Sequence, residues 1–486
     1  MLGEAFQKAG IKPDDFKKNI KKQSPQKKPQ PKEKKSNQSV VKADLPQSGL
    51  VKLKVTALSP LHIGSGQVYE PLHFIIDKNF LYEFELEAIL PHLSEEKRVA
   101  FLEILQHQNQ YSFAKVNKFI KENAKDIAKQ YAHTTIKVSN TIQNEYNKKV
   151  GEVVQIEGKG KFTKKVFHKF EIEKTQKKQI KSEDGTYRYI GYIPGSSFKG
   201  AISTAFREFV YKNEGKQLMD EKFEKSLDIT NHIFKNFKVS DSIPKEVSTS
   251  IGYAINKERF EDDKDSQMNR FIEVIEPKSE FVIDINYDEM LNGKKVFDIC
   301  EIFSSCNSHY KPILDSLVSE DEICEYLEDS FYKKCKQLQL KPNQFILRVG
   351  KHSGARAVSI DGLRKIAVKL CEIKNNNKDS ISDEERIEKR VERLYKKSRF
   401  ENIDDITRLM VDESLITEGK EMEMYQLSKD FLYNPSNIEH IIRENSRKTI
   451  QAFLSEETTT WLYGNHPREN QGLLPFGWVL CEIIKE

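Results

Sequence analysis

The chain has 486 residues, 37% hydrophobic and 31% charged, a length beyond the roughly 100 to 200 residues of one domain, so more than one core is expected. No apolar run approaches the roughly 18 residues that cross a bilayer, and Met1-Leu-Gly-Glu-Ala-Phe followed by lysines is no export signal, which predicts a cytoplasmic protein with no membrane partner. Residues 1–48 hold twelve lysines against five acids, an excess greater than the formal +5 of the whole chain, so the body is slightly acidic and any nucleic-acid site on it must be a local stripe.

Lys17 to Lys35 is Lys, Gln, Pro, Ser and Asn with almost no large apolar residue, too little to offset the entropy of ordering. Residues 1–48 are therefore predicted to be a disordered basic tail, either a solubilising extension or a diffuse arm for phosphate. Order is expected from Leu50, where Val51, Leu53 and Val55 alternate with Lys52, Lys54 and Thr56 as in a half-buried strand. Leu72–Asp77 and Phe80–Phe84 flank Lys78-Asn79, a hairpin signature. Leu86 to about Ala132 carries apolar residues at helical spacing. The polar, lysine-rich stretch from Lys137 to Asp184 reads as an insertion.

Tyr189–Ile193 is a short strand stopped by Pro194-Gly195, and a helix then starts with Ser196 or Ser197 as its cap. Phe198, Ile202, Ala205, Phe206 and Phe209 form its buried face, with Lys199, Ser203 and Arg207 on a polar stripe beside it. Further on, Arg270–Glu276 and Phe281–Asn286 are strand-like segments joined by Pro277-Lys-Ser, Val296 to about Leu340 is helical, and Phe345–Val349 is a strand opening into a glycine loop. Asp383–Arg399 reads as a solvated charged helix. Leu474-Pro-Phe-Gly-Trp478 feeds a terminal strand. The alternation of strands and helices in two blocks predicts an α+β or α/β layered protein. The cysteines Cys300, Cys306, Cys324, Cys335, Cys371 and Cys481 are irregularly spaced without a C-x-x-C pair, as expected of reduced thiols, and no metal or other cofactor is expected.

Three glycine loops carry the chemistry: His62-Ile-Gly64-Ser65-Gly66 after a strand, Gly195-Ser196-Ser197 before a helix, and Gly350-Lys351-His352-Ser353-Gly354 after another strand. Glycine lets backbone N–H groups approach an anion, and a helix start adds favourable partial charge. Lys199, Arg207, Lys351, His352 and Arg356 lie in or beside these loops, which suits a polyanion gripped along its backbone. Each loop alone is more readily an ordinary turn; their conjunction points to binding. There is no G-x-x-x-x-G-K-[ST], and Gly64-Ser-Gly66 lacks the third glycine of a dinucleotide fingerprint, which disfavours an NTPase or a dehydrogenase.

Leu58-Ser-Pro-Leu-His-Ile-Gly-Ser-Gly66, Tyr192-Ile-Pro-Gly-Ser-Ser-Phe-Lys-Gly200, Lys238-Val-Ser-Asp-Ser242, the strand pair expected between Glu273 and Ile285, Val349-Gly-Lys-His-Ser-Gly354 and Leu474-Pro-Phe-Gly-Trp478 together resemble the RAMP superfamily of CRISPR proteins. Their order and the closing Pro-Phe-Gly-Trp are most similar to head-end subunits of type III-A (Csm) effector complexes. The resemblance implies an α+β fold of two ferredoxin-like (RRM-like) domains with helical insertions, at 49–245 and 246–486. It implies a non-catalytic subunit that holds the 3′ part of a crRNA, adjoins Csm backbone and small subunits, meets target RNA indirectly and supports guide trimming by host nucleases. His62, Gly64, Ser65, Gly66, Gly195, Ser196, Ser197, Lys199, Gly200, Arg207, Gly350, Lys351, His352, Ser353 and Arg356 are the candidate RNA contacts.

The alternative within the superfamily is an RNA endonuclease, with His62 or His352 as base or with a metal-binding Asp such as Asp77. About 120 residues separate the first two glycine motifs here and Asp77 has no second carboxylate nearby in sequence, so no catalytic residue is carried over. A phosphometabolite-binding protein is the alternative outside RNA biology.

Overall fold

The computed structural model describes residues 41–106, 112–151, 153–157, 163–167, 170–181, 187–223, 232–258, 269–319, 322–361, 365–372, 423–428, 450–455 and 459–484. They fall in two compact units. One, within residues 362–456, contributes an antiparallel sheet in which Lys365–Glu372 lies between Glu423–Ser428 and Ile450–Ser455. The other, residues 39–361 with 457–486, holds two large sheets and their helices. The helix expected at 383–399 lies outside the described residues. No helix among the described residues is long and apolar enough to cross a membrane.

The opening strand Ser48–Ala57 sits in the middle of a six-stranded sheet. Its period-2 pattern is realised, with Val51, Leu53 and Val55 at 3%, 0% and 0% exposure, because one face must be covered while lysines line the other. Antiparallel neighbours are Glu280–Asp288 on one side and the closing strand Trp478–Ile484 on the other, followed by Gln344–Arg348. Phe237–Val239 and Ile243–Glu246 flank Glu280–Asp288. Two helices pack against each other and on this sheet, Gly195–Phe223, interrupted at Gly215 by a positive φ, and Ile299–Ser319. Phe303 stacks on Phe345 at 4.6 Å between centroids, and Tyr310 donates to the Ala201 carbonyl at 3.0 Å, binding helix to strand and helix to helix.

The second sheet has nine strands, in the order Gly64–Tyr69, Ile172–Thr175, Asn269–Ile275, Thr249–Glu258, Thr134–Val138, Phe80–Glu83 and Phe74–Asp77, with Thr459–Gly464 and then Leu474–Pro475 branching from Thr249–Glu258. The Lys78-Asn79 hairpin is present, both residues having positive φ as a tight two-residue turn requires. The helical stretch after Leu86 is realised as Leu86–Ile89, Glu95–Gln106, Ser112–Asn123 and Lys125–Gln130, whose Phe101, Phe119 and Ile120 join Ile75 and Phe84 in one core.

Four local expectations are corrected. The polar stretch 137–184 is no mere insertion: Ile172–Thr175 is an inner strand of the nine-stranded sheet, its apolar alternation hidden because Glu173 faces a cavity. The segments on either side of Pro277-Lys-Ser do not pair; Lys278, at φ 71, turns the chain from one sheet into the other. Order starts before Leu50, since Val41 is 2% exposed and its N–H donates to Ser304 Oγ on the helix Ile299–Ser319. The helix after Pro194 starts at Gly195, and the first amide is met from outside by Asp241 Oδ1 at 2.8 Å rather than by Ser196 or Ser197.

Candidate nucleic-acid interface

Segments about 290 and 410 residues after the first glycine loop return to it. The amide of Lys351 donates to the His62 carbonyl at 2.8 Å. Gly477 donates to the Pro60 carbonyl and accepts from Val349, at 2.9 and 2.8 Å, while Trp478 N–H reaches Ser59 Oγ at 2.9 Å. Gly350 and Gly477 have φ of 88 and 93°, and a Cβ on either would stand 2.5 Å from a carbonyl oxygen, of His62 and Val349 respectively. Only glycine permits both the turn and the approach. The loops at 62–66, 350–354 and 474–478 are thus one hydrogen-bonded rim.

A buried carboxylate lies beneath the rim. Glu273, fully buried in the strand Asn269–Ile275, takes an ion pair from Lys177 at 2.7 Å, the Tyr69 hydroxyl at 3.1 Å and the Thr175 amide at 3.2 Å. Burial raises its pKa against the pull of Lys177. Its main-chain carbonyl holds His62 Nδ1 at 2.8 Å. A carbonyl only accepts, so Nδ1 carries the proton. Burial also pushes the fully enclosed His62 imidazole below its ordinary pKa. His352, at φ 65, stands between Trp461 and Phe476 at 4.7 and 5.2 Å, with His62 at 6.2 Å. Its pKa is pushed down to about 3, chiefly by burial.

Outside the rim opens a cavity of about 510 Å³, lined among others by Gly64, Gly66, Lys174, Glu173, Arg270 and Lys351. Between Gly64 and Val68 the edge strand bulges away from Ile172–Thr175, with Gly66 at φ 76 and nothing within 4 Å of a Cβ there. Ser65 Oγ donates to the Lys174 carbonyl at 3.0 Å. Glu173 pairs with two cations, Arg270 Nη1 at 3.0 Å from Oε1 and Lys351 Nζ at 2.5 Å from Oε2, while His62 Nε2 stands 3.8 Å from Oε2. Burial alone pushes Glu173 up, but the Lys351 and Arg270 hydrogen bonds outweigh it and hold the carboxyl below its ordinary pKa.

The remaining candidates are used differently. Ser353 is buried and donates to the Gly350 carbonyl at 2.7 Å, closing the turn. Arg356 Nη1 reaches Ser316 Oγ on the helix Ile299–Ser319. At the third loop, a Cβ on Gly195 would stand 2.3 Å from the Val239 carbonyl oxygen. Ser242 Oγ accepts from the Ile193 amide, so Lys238–Ser242 and Pro194–Gly195 clamp each other. Lys199 donates to the Phe234 and Phe237 carbonyls at 3.0 and 2.7 Å, and the Arg207 guanidinium lies 5.4 Å from the Phe223 ring centroid. Ser196 and Gly200 are exposed, and Ser197 is half-buried. This loop joins the first through Gln176, whose amide donates to the Ile63 carbonyl and whose carbonyl accepts from Tyr192. Asp77 is gripped by Lys125 and Lys129.

Sequence reasoning missed Glu173, Lys174, Arg270 and Glu273. The available signal was Glu273 itself, a charge inside Phe271-Ile-Glu-Val-Ile275, since a carboxylate among strand-core residues needs partners.

Glycine turns where the chain passes between the two sheets of an α+β fold are thus drawn together over a buried carboxylate. The chain belongs to the RAMP superfamily, whose sequence profile matches residues 54–300. Within it the chain resembles Csm5: it is 24% identical over 321 residues to the CRISPR system protein Csm5 of Methanocaldococcus jannaschii. That alignment covers 60% of this chain and 64% of the relative, just under two thirds. Among solved structures, a chain of a type III-A Csm–crRNA–target RNA ternary complex aligns at TM-score 0.46 and 15% identity, over 89% of this chain and all of that one. Crystalline Csm5 of T. onnurineus aligns at TM-score 0.40 and 17% identity, over 63% and 92%. With TM-scores below 0.5, neither likeness defines the architecture.

Proposed function

We propose that the chain is a non-catalytic, crRNA-binding subunit of a type III-A Csm effector complex, capping its head end, holding the 3′ part of the guide beside the backbone and small subunits, and supporting guide maturation. The observation that carries this is the union of Gly64–Gly66 and Gly350–Gly354 into one rim, with Lys351, Arg270 and Lys174 around an adjoining cavity. Backbone turns flanked by cations suit a sugar-phosphate strand read by its backbone. Two sheets, each with its own helices, support the reading of two ferredoxin-like units that each draw strands from both sides of residue 245. The fully enclosed His62 and the lysine-bound Asp77 favour holding RNA over cutting it.

The test is incubation of the purified chain with single-stranded repeat RNA, with and without Mg²⁺. Binding that weakens about tenfold in Lys351→Ala, with the RNA left intact, is expected. Site-specific cleavage abolished by His62→Ala overturns the non-catalytic reading.

A further inference from the structure

Arg270 and Lys351, half-exposed at the cavity, are already paired with a carboxylate of the chain itself. Arg270 and Lys351 come from segments 80 residues apart, yet each approaches a different oxygen of Glu173. A phosphodiester presents two non-bridging oxygens in a similar way, and an arginine paired with a lysine is a common phosphate clamp. Gly64 is exposed at the cavity edge, and a side chain there would begin 3.8 Å from Lys351 Cδ and 3.5 Å from His62 Nε2. Glycine therefore leaves the approach to the pair unobstructed.

We propose that Arg270 and Lys351 form one phosphate seat beside the Gly64–Gly66 bulge, held in the free chain by the Glu173 carboxylate and released to an incoming RNA phosphodiester. The seat deepens the RNA reading above and rests on it. The Lys351 and Arg270 side chains are 44% and 49% exposed, so their ion pairs to Glu173 are weak and screened, and exchange is cheap. Glu173 keeps its place in the sheet through main-chain pairing with Ile272 and Val68, so its side chain can swing away while the strand stays put. A held seat also disfavours lone small anions, because one contact cannot displace a carboxylate that two cations share. A strand anchored elsewhere along the rim can do so, since the exchange is then intramolecular.

The experiment uses the full chain and a fluorescent single-stranded RNA of mixed sequence, read by anisotropy across a KCl series. Glu173→Gln preserves shape and removes the competing charge. It is expected to bind about tenfold more tightly at physiological salt, because the carboxylate no longer competes with the phosphate. Adding Arg270→Ala to Glu173→Gln is expected to abolish that gain. Asp329→Asn, an exposed carboxylate on the helix Asp329–Lys336, controls for net charge and should bind as wild type does. Equal affinity of Glu173→Gln and wild type, or an equal gain in Asp329→Asn, overturns the seat. The two levels separate cleanly: if Lys351→Ala weakens RNA binding but Glu173→Gln gains nothing, only the exchange fails. If Lys351→Ala changes nothing, the RNA reading of the rim fails and the seat with it.

Discussion

The loop at Gly64–Gly66 and the loop at Gly195–Ser197 use the same letters and do opposite things. At Gly66 the missing side chain serves conformation, a φ of 76° with open space around it. At Gly195 it serves packing, with the Val239 carbonyl where a Cβ would be and Asp241 on the helix's first amide. Lysines divide in the same way: Lys351 is 44% exposed on the cavity, whereas Lys199 turns inward to two carbonyls, and burial lowers its pKa. A glycine motif followed by a basic residue therefore marks either an open anion site or a closed joint, and the neighbours decide which.

Buried carboxylates brace both regions, and removing either tests the comparison most severely. Glu273→Ala is expected to cost about 4 kcal/mol in urea unfolding, because it leaves Lys177, 11% exposed, without its counter-charge. Rim and cavity should be lost with it, so RNA binding falls as well.

In the helix region, Glu208 is held by His309 Nδ1 at 2.8 Å, by Lys212 at 2.7 Å and by the Asp361 amide at 2.8 Å. Burial alone would raise its pKa, but these partners outweigh it and bring the carboxyl down to about 2. A depressed carboxylate stabilises the fold above the unfolded-state value near 4.5 and loses that contribution as pH falls toward 2. The shift corresponds to about 3 kcal/mol. Urea titrations from pH 6 to 2.5 should show a steep acid loss in wild type and a much flatter one in Glu208→Gln.

The glycines give the next, smaller contrast. Gly195→Ala forces the helix start off the Val239 carbonyl, for about 2 kcal/mol of stability, with the RNA affinity of the folded fraction unchanged. Gly66→Ala strains one exposed turn by about 1 kcal/mol, and RNA affinity falls although the fold barely notices. Equal stability losses in the two variants would erase the distinction between them.

That distinction was not legible in the sequence, where a glycine for φ and a glycine for contact are the same symbol. The alternation of Val51, Leu53 and Val55, the Lys78-Asn79 turn and the terminal strand were legible, because each follows from nearest neighbours and one buried face. Two things were not. The placement of the opening strand between Glu280–Asp288 and Trp478–Ile484 depends on partners more than 200 residues away. The strand bearing Glu173 shows too few apolar residues in four to announce itself, its outward side chains serving the cavity. The site was half visible: the rim turns were named, whereas Arg270, Glu173 and Glu273 became candidates only once the sheet brought them under those turns.

The salt dependence of single-stranded RNA binding by Lys351→Ala and Lys199→Ala, measured on the full chain beside wild type, bears most directly on whether the rim grips RNA. The expected result is a log–log slope shallower by about 0.7 in Lys351→Ala, with thermal stability unchanged, and an unchanged slope with lower thermal stability in Lys199→Ala. A shallower slope in Lys199→Ala with no change in Lys351→Ala would contradict it.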